Sequence, residues 1–179
     1  NTLKDLTFDN IYHEHYNYWS LTSLVTFFKG LEATIYKAEK INTHGGSLRV
    51  YIQKNSKRKI EKSVQYLLNE EEKFGIKNYK TYENFAKKVH IIRKNVRKNI
   101  SKIKGKNVKI IGYGSPAKAT TALNYFGIAD EIDYIVEDNK LKHGKFIPGV
   151  KIPITSKSDK EKKADYAIVL AWNFFNEIK

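Results

Sequence analysis

The chain has 179 residues, 41% hydrophobic and 29% charged, with no cysteine and no methionine. That length suits one or two globular domains, and the missing thiols exclude a disulfide framework and a thiolate metal site. The net charge is +14, and the segment 54–106 holds 17 Lys/Arg against 5 Glu, or +12 of that total. Both signs recur there on a helical pattern with few aromatics placed to stack on bases, so these residues are expected to be solvated helix faces and not a nucleic-acid patch. No apolar run reaches the length of a membrane span and no signal peptide is visible, so a cytoplasmic protein is expected. An asparagine at position 1 and the lack of methionine lead us to expect a fragment of a longer protein, unless modified methionines have dropped out of the sequence.

In chain order, a polar-aromatic segment leads to Ser20-Leu21-Thr22, a helix start whose hydroxyls are candidate N-caps, with Leu24, Phe27 and Phe28 as its buried stripe. Residues 31–40 alternate as a strand with Ala33, Ile35 and Tyr36 facing inward, and residues 48–52 make a second strand. Together they read as the closing part of a sheet that begins outside the chain. Two helices follow. Ile60, Val64, Leu67 and Leu68 mark the first; Phe74-Gly75-Ile76 breaks the pattern; Tyr82, Phe85, Val89, Ile92, Val96 and Ile100 mark the second, which Gly105 is expected to end.

Residues 107–179 have the β-α rhythm of a parallel sheet. Strands are expected over 108–111, 132–136 and 166–171, an extended piece over 152–154, and helices over 116–126 and from Asn173. The expected fold class is α/β: a C-terminal Rossmann-like parallel sheet preceded by helices and by two strands that close another sheet.

Four places carry chemistry. Tyr12-His13-Glu14-His15 gathers two imidazoles, a carboxylate and a phenol, a set able to take a proton from carbon at neutral pH. Its plain alternative is a hydrogen-bonded surface loop. Gly112-Tyr113-Gly114-Ser115-Pro116-Ala117-Lys118 fits G-x-G-x-x-G/A between a strand and a helix, with Glu137 and Asp138 ending the next strand. Such a loop lets backbone approach a phosphate at a helix N-terminus, where Ser115 and Lys118 would add contacts. Its plain alternative is a tight β-α turn that binds nothing. Asn139 and Asn173 fall at the carboxyl ends of strands, the ligand-binding rim of open α/β sheets, whereas Trp172 beside them is expected in the core. His44, Ser47 and Arg49 surround Gly45-Gly46, and Arg49 could grip a phosphate or carboxylate, or else face solvent.

The motifs Phe8 to His15, Thr43 to Arg49, Gly112 to Lys118 and Leu123 to Gly127 occur in the order found in one family. Glu137-Asp138-Asn139, Gly144, Pro148-Gly149, Ile152 to Ile154 and Ala171 to Phe174 continue the match. The chain resembles the S-adenosylmethionine-dependent C-methyltransferases that act on nucleotide-linked deoxysugars. It departs at Ala119, where glycine is common, and in a short segment between Ile154 and Asp165. The resemblance implies that residues 1–53 end the methyltransferase domain, 54–106 form a helical connection belonging to the C-terminal domain, and 107–179 are its Rossmann-like part. It implies His15 as the base that makes an enolate of a keto sugar, with Tyr12 and Glu14 orienting it or stabilising the charge. The nucleotide sugar would reach His44, Ser47, Arg49, Ser115, Lys118, Asn139 and Asn173. The S-adenosylmethionine loop and a zinc-binding domain would lie in N-terminal parts outside this chain, leaving the fragment inactive alone. The competing reading is an NAD(P)-binding oxidoreductase or redox-sensing domain using Gly112 to Ala117 and Glu137.

Overall fold

The computed structural model describes residues 2–55, 58–104, 108–157 and 164–178, and the backbone alone of His44. Its elements in chain order are α1 (Thr2–Asp5), a 3-10 turn (Phe8–Asn10), α2 (Leu21–Gly30), β1 (Ala33–Ile41) and β2 (Ser47–Lys54). Then come α3 (Lys62–Phe74), α4 (Tyr79–Ile103), β3 (Ile110–Tyr113), α5 (Ala117–Phe126), β4 (Ile135–Val136), β5 (Ile154–Thr155) and β6 (Tyr166–Val169). A 3-10 turn (Trp172–Phe174) and one turn of helix (Phe175–Ile178) close the described chain. The chain divides into two compact units, one built from Tyr16–Ala86 and the other from Thr2–His15 with Lys87–Lys179. The expected helix stop at Gly105 lies outside the described residues.

In the first unit, α2 starts as expected. The Ser20 hydroxyl accepts from the Ser23 amide while the Ser23 hydroxyl accepts from the Ser20 amide, a reciprocal cap. The carboxylate of Glu71, on α3, completes it. Oε1 accepts from the Leu21 N–H at 2.7 Å, and Oε2 from the Thr22 N–H at 2.8 Å and the Thr22 hydroxyl at 2.6 Å. A carboxylate there satisfies helix-end donors and meets the positive end of the helix dipole.

β1 and β2 form an antiparallel hairpin with a register shift between Ile35 and Lys37. Tyr36 is the extra residue, so the inward phase advances by one. Ile35 and Ala38, three apart, are therefore both buried, and Leu21, Val64 and Leu67 pack with them. Phe27 is half exposed and stacks against Trp19, so the buried stripe of α2 runs through Leu21, Leu24 and Phe28 instead.

In the second unit the sheet order is β5-β4-β3-β6, and all its pairings are parallel. The third, second, first and fourth strands of the unit thus lie side by side, which is half of a Rossmann arrangement. The fold is α/β with a Rossmann-like parallel sheet, as expected from the sequence. Ile110, Leu123 and Ile135 are fully buried in the main core, joined by Ile100 from α4 and Leu170 after β6. Ile111, Tyr134 and Val136 form a smaller cluster of their own. Strands of four and two residues are shorter than the apolar runs of the sequence. The chain turns where side chains still point inward, as at Ile132, which is buried before β4 begins.

The N-terminal segment belongs to this unit. Phe8 packs its ring on Tyr125 and Phe126 at centroid distances of 5.0 and 5.5 Å, and the Thr121 hydroxyl donates to the Ile11 carbonyl at 3.2 Å. Among the described residues no helix is long and apolar enough to cross a membrane.

Candidate functional site

Two groups of candidate residues sit on the second unit: the turn that carries Tyr12 to His15, and the loops at the carboxyl ends of β3, β4 and β6.

The turn is pinned from several sides. Asp9 is buried at 6% exposure, and its Oδ2 accepts from the Trp172 indole N–H at 2.5 Å. The Asn10 side chain donates to the Thr7 hydroxyl at 3.0 Å. The Asn10 carbonyl oxygen lies 2.8 Å from His15 Nδ1. A carbonyl only accepts, so Nδ1 carries the proton and, in the neutral ring, the lone pair is on Nε2. The Tyr12 ring lies 4.2 Å from the His15 ring, tilted by 35°. His13 and Glu14 face solvent with 3.9 Å between Nε2 and Oε1. In that tautomer the ring has one nitrogen, Nε2, whose lone pair could accept a proton.

The glycine-rich loop follows β3. Gly114 has φ +83°, and a Cβ there would sit 2.9 Å from that of Ala171, so both conformation and space require glycine. The loop's anion seat, however, is taken by the protein itself. Glu137 Oε2 accepts from the Ser115 N–H at 2.8 Å and from the Ser115 hydroxyl, and Oε1 accepts from the Asn139 N–H at 3.0 Å. Lys142 bridges the same place, donating to the Ser115 carbonyl at 2.8 Å and lying 3.3 Å from Glu137 Oε2. Partial burial works to raise the Glu137 carboxyl's pKa. The Ser115 hydroxyl, the Asn139 and Ser115 amides and the Lys142 ammonium outweigh it and hold the group at about 2. Glu137 is thus a fixed carboxylate that braces the loop.

Lys118 stands apart from this network. Its Nζ is buried without a hydrogen-bond partner and lies 4.8 Å from the centre of the Trp172 ring. Contact with an aromatic face offsets only part of the desolvation of an ammonium. An anion would complete its coordination. Trp172, expected in the core, is 38% exposed and serves Lys118 with its face and Asp9 with its N–H.

The remaining candidates are placed as follows. The Asn139 side chain accepts from the Leu141 N–H at 3.0 Å and caps the short turn after β4. Asn173 is half buried in the 3-10 turn after β6. His44, Ser47 and Arg49 belong to the first unit. The His44 side chain lies outside the described residues. The Ser47 hydroxyl donates to the Thr43 carbonyl at 3.0 Å, closing the hairpin turn. Arg49 pairs with Glu39 across the hairpin at 3.3 Å, and the Tyr51 hydroxyl donates to the same carboxylate at 2.8 Å. Sequence reasoning missed Asp9 and Trp172 as parts of the site, and it singled out Glu137 as a strand-end acid without foreseeing that it would brace the loop. Their identities were visible inside the motifs, but their partners lie 163 and 22 residues away.

Comparison with known proteins places the chain in a family. A family described as the C-methyltransferase C-terminal domain matches residues 42–179. The chain is also 33% identical over 179 residues to the C-methyltransferase NovU of Streptomyces niveus, an alignment covering 98% of this chain, the His15 segment included. It spans 43% of the length of that relative. The chain belongs to the family of C-methyltransferase C-terminal domains.

Proposed function

We propose that the chain is the C-terminal portion of an S-adenosylmethionine-dependent C-methyltransferase acting on a nucleotide-linked keto-deoxysugar, with His15 as the base. In this reading residues 1–53 end the methyltransferase domain, 54–106 connect, and 107–179 form the Rossmann-like part. The observation that carries it is the His15 tautomer set by the Asn10 carbonyl, in a chain that belongs to a C-methyltransferase family.

A carbon next to a ketone has an acidic C–H bond. His15 Nε2 takes that proton, the C–H electron pair becomes the enolate double bond, and the ketone oxygen takes up the negative charge. The imidazolium so formed keeps its Nδ1–H donated to the Asn10 carbonyl, a partner that favours the charged ring. Tyr12 stabilises the enolate oxygen or a sugar hydroxyl, and Glu14 belongs to the same exposed turn. The enolate so formed would be the carbon nucleophile that takes up the methyl group. S-adenosylmethionine supplies that methyl group when bound to the intact protein. Lys118 holds a phosphate of the nucleotide, with Asn139 and Asn173 as further substrate contacts at the strand ends of the same unit.

The bracing of Ser115 by Glu137 weighs against the NAD(P) reading. The loop amide that would receive a pyrophosphate already meets a carboxylate, and a second anion there would be repelled. Calorimetric titration of the chain with dTDP, NAD and S-adenosylmethionine separates the readings. Binding of dTDP alone, weakened about tenfold or more by Lys118→Ala, is expected from loss of one charged contact. Tight binding of NAD would contradict the proposal.

A further inference from the structure

The reading of His15 as a base leaves open how an exposed turn keeps that ring in one tautomer. The answer lies in a connection that spans the whole chain. Asp9 is buried and its carboxylate receives the Trp172 N–H. Asn10, the next residue, presents its carbonyl to His15 Nδ1. Phe8, the preceding residue, is wedged on Tyr125 and Phe126. The 3-10 turn Phe8–Asn10 is only three residues long and too short to hold its shape unaided. Its side-chain anchors come from α5 and from the loop after β6. The face of that same indole carries the Lys118 ammonium.

We propose that Trp172 and Asp9 are positioning residues: their hydrogen bond fixes the Phe8–Asn10 turn, so that the Asn10 carbonyl holds His15 as the Nδ1–H tautomer with the lone pair on Nε2. The indole also sets the place of Lys118, so one side chain registers the anion-holding lysine against the base-bearing turn. This rests on the reading of His15 as the base, but the link itself is structural and can be tested without turnover. A carboxylate buried at this position gains a donor it would otherwise lack, and an indole N–H gains an acceptor. Loss of either leaves the other unsatisfied and the turn free to rotate its carbonyl away.

The test is nitrogen-15 NMR of the His15 ring in the whole chain, at a pH where the ring is neutral. The wild-type ring is expected mainly as the Nδ1–H tautomer. Trp172→Phe, which keeps a ring for Lys118 but removes the donor, and Asp9→Ala are each expected to make that tautomer the minor form, returning the ring to the preference of free histidine. Asp9→Asn keeps an acceptor oxygen for the indole and is expected to keep the wild-type tautomer. Amide spectra of the three variants report whether the sheet remains folded, and the comparison is made between folded variants. An unchanged tautomer in both Trp172→Phe and Asp9→Ala would overturn the proposal while leaving the His15 assignment standing. So would a change in Asp9→Asn as large as that in Asp9→Ala. Failure of the His15 assignment would instead be read in methyl transfer by the intact protein, which this measurement does not use.

Discussion

Glu137 shows how one side chain decides what a motif can do. The spacing of Gly112, Gly114 and Ala117 is that of a dinucleotide loop, and an acid at the end of the next strand completes the pattern. In the folded chain that acid turns back to the loop and bonds Ser115. The motif was legible in the sequence, whereas the direction of the Glu137 side chain was not, because either direction satisfies the same spacing. The carboxyl is held at about 2 against an ordinary 4.5. Its folded pKa is depressed, so the unfolded chain takes the proton first as pH falls. The stabilisation is therefore complete above about 4.5 and lost progressively down to about 2. Thermal melts of the wild type and Glu137→Gln should differ most above pH 4.5 and converge near pH 2. A constant difference across that window would show that the carboxylate charge does not brace the loop.

At the scale of elements, the helices were the easiest to read and their partners the hardest. Ser20 announced the start of α2, and Gly75, with φ +77°, ends α3 where the apolar stripe breaks. The use of Glu71 as a cap for α2 was not legible, since it comes from 49 residues farther along the chain than Thr22. Three hydrogen bonds to one carboxylate make this the best-tied helix start in the first unit. Glu71→Ala is expected to lower the stability of that unit by about 2 kcal/mol, the scale of a lost cap plus an unsatisfied amide. Urea unfolding followed by circular dichroism measures it, and a loss below about 0.5 kcal/mol, the scale of an ordinary surface change, would contradict the assignment. The bulge at Tyr36 escaped the sequence reading for a different reason. Strict alternation predicts the inward phase correctly up to Ile35, but an extra residue carries no signature of its own in a run as regular as this one.

For the molecule as a whole, motif order gave the family and the parallel sheet, but not which segments pack together. The His15 segment comes early in the chain, yet it is compact with Lys87–Lys179 through Phe8, Asp9 and Ile11. No local pattern announces a bond between the ninth and the 172nd residue. That packing puts His15 and Lys118 on the same unit, which is what the proposed chemistry needs of this part of the protein. The most direct test is methyl transfer to a nucleotide-linked keto-deoxysugar by the intact protein, wild type against His15→Ala. Loss of the base is predicted to lower kcat by about 10²- to 10⁴-fold, with nucleotide affinity unchanged because Lys118 and its rim remain. Turnover near the wild-type rate in His15→Ala would contradict the account.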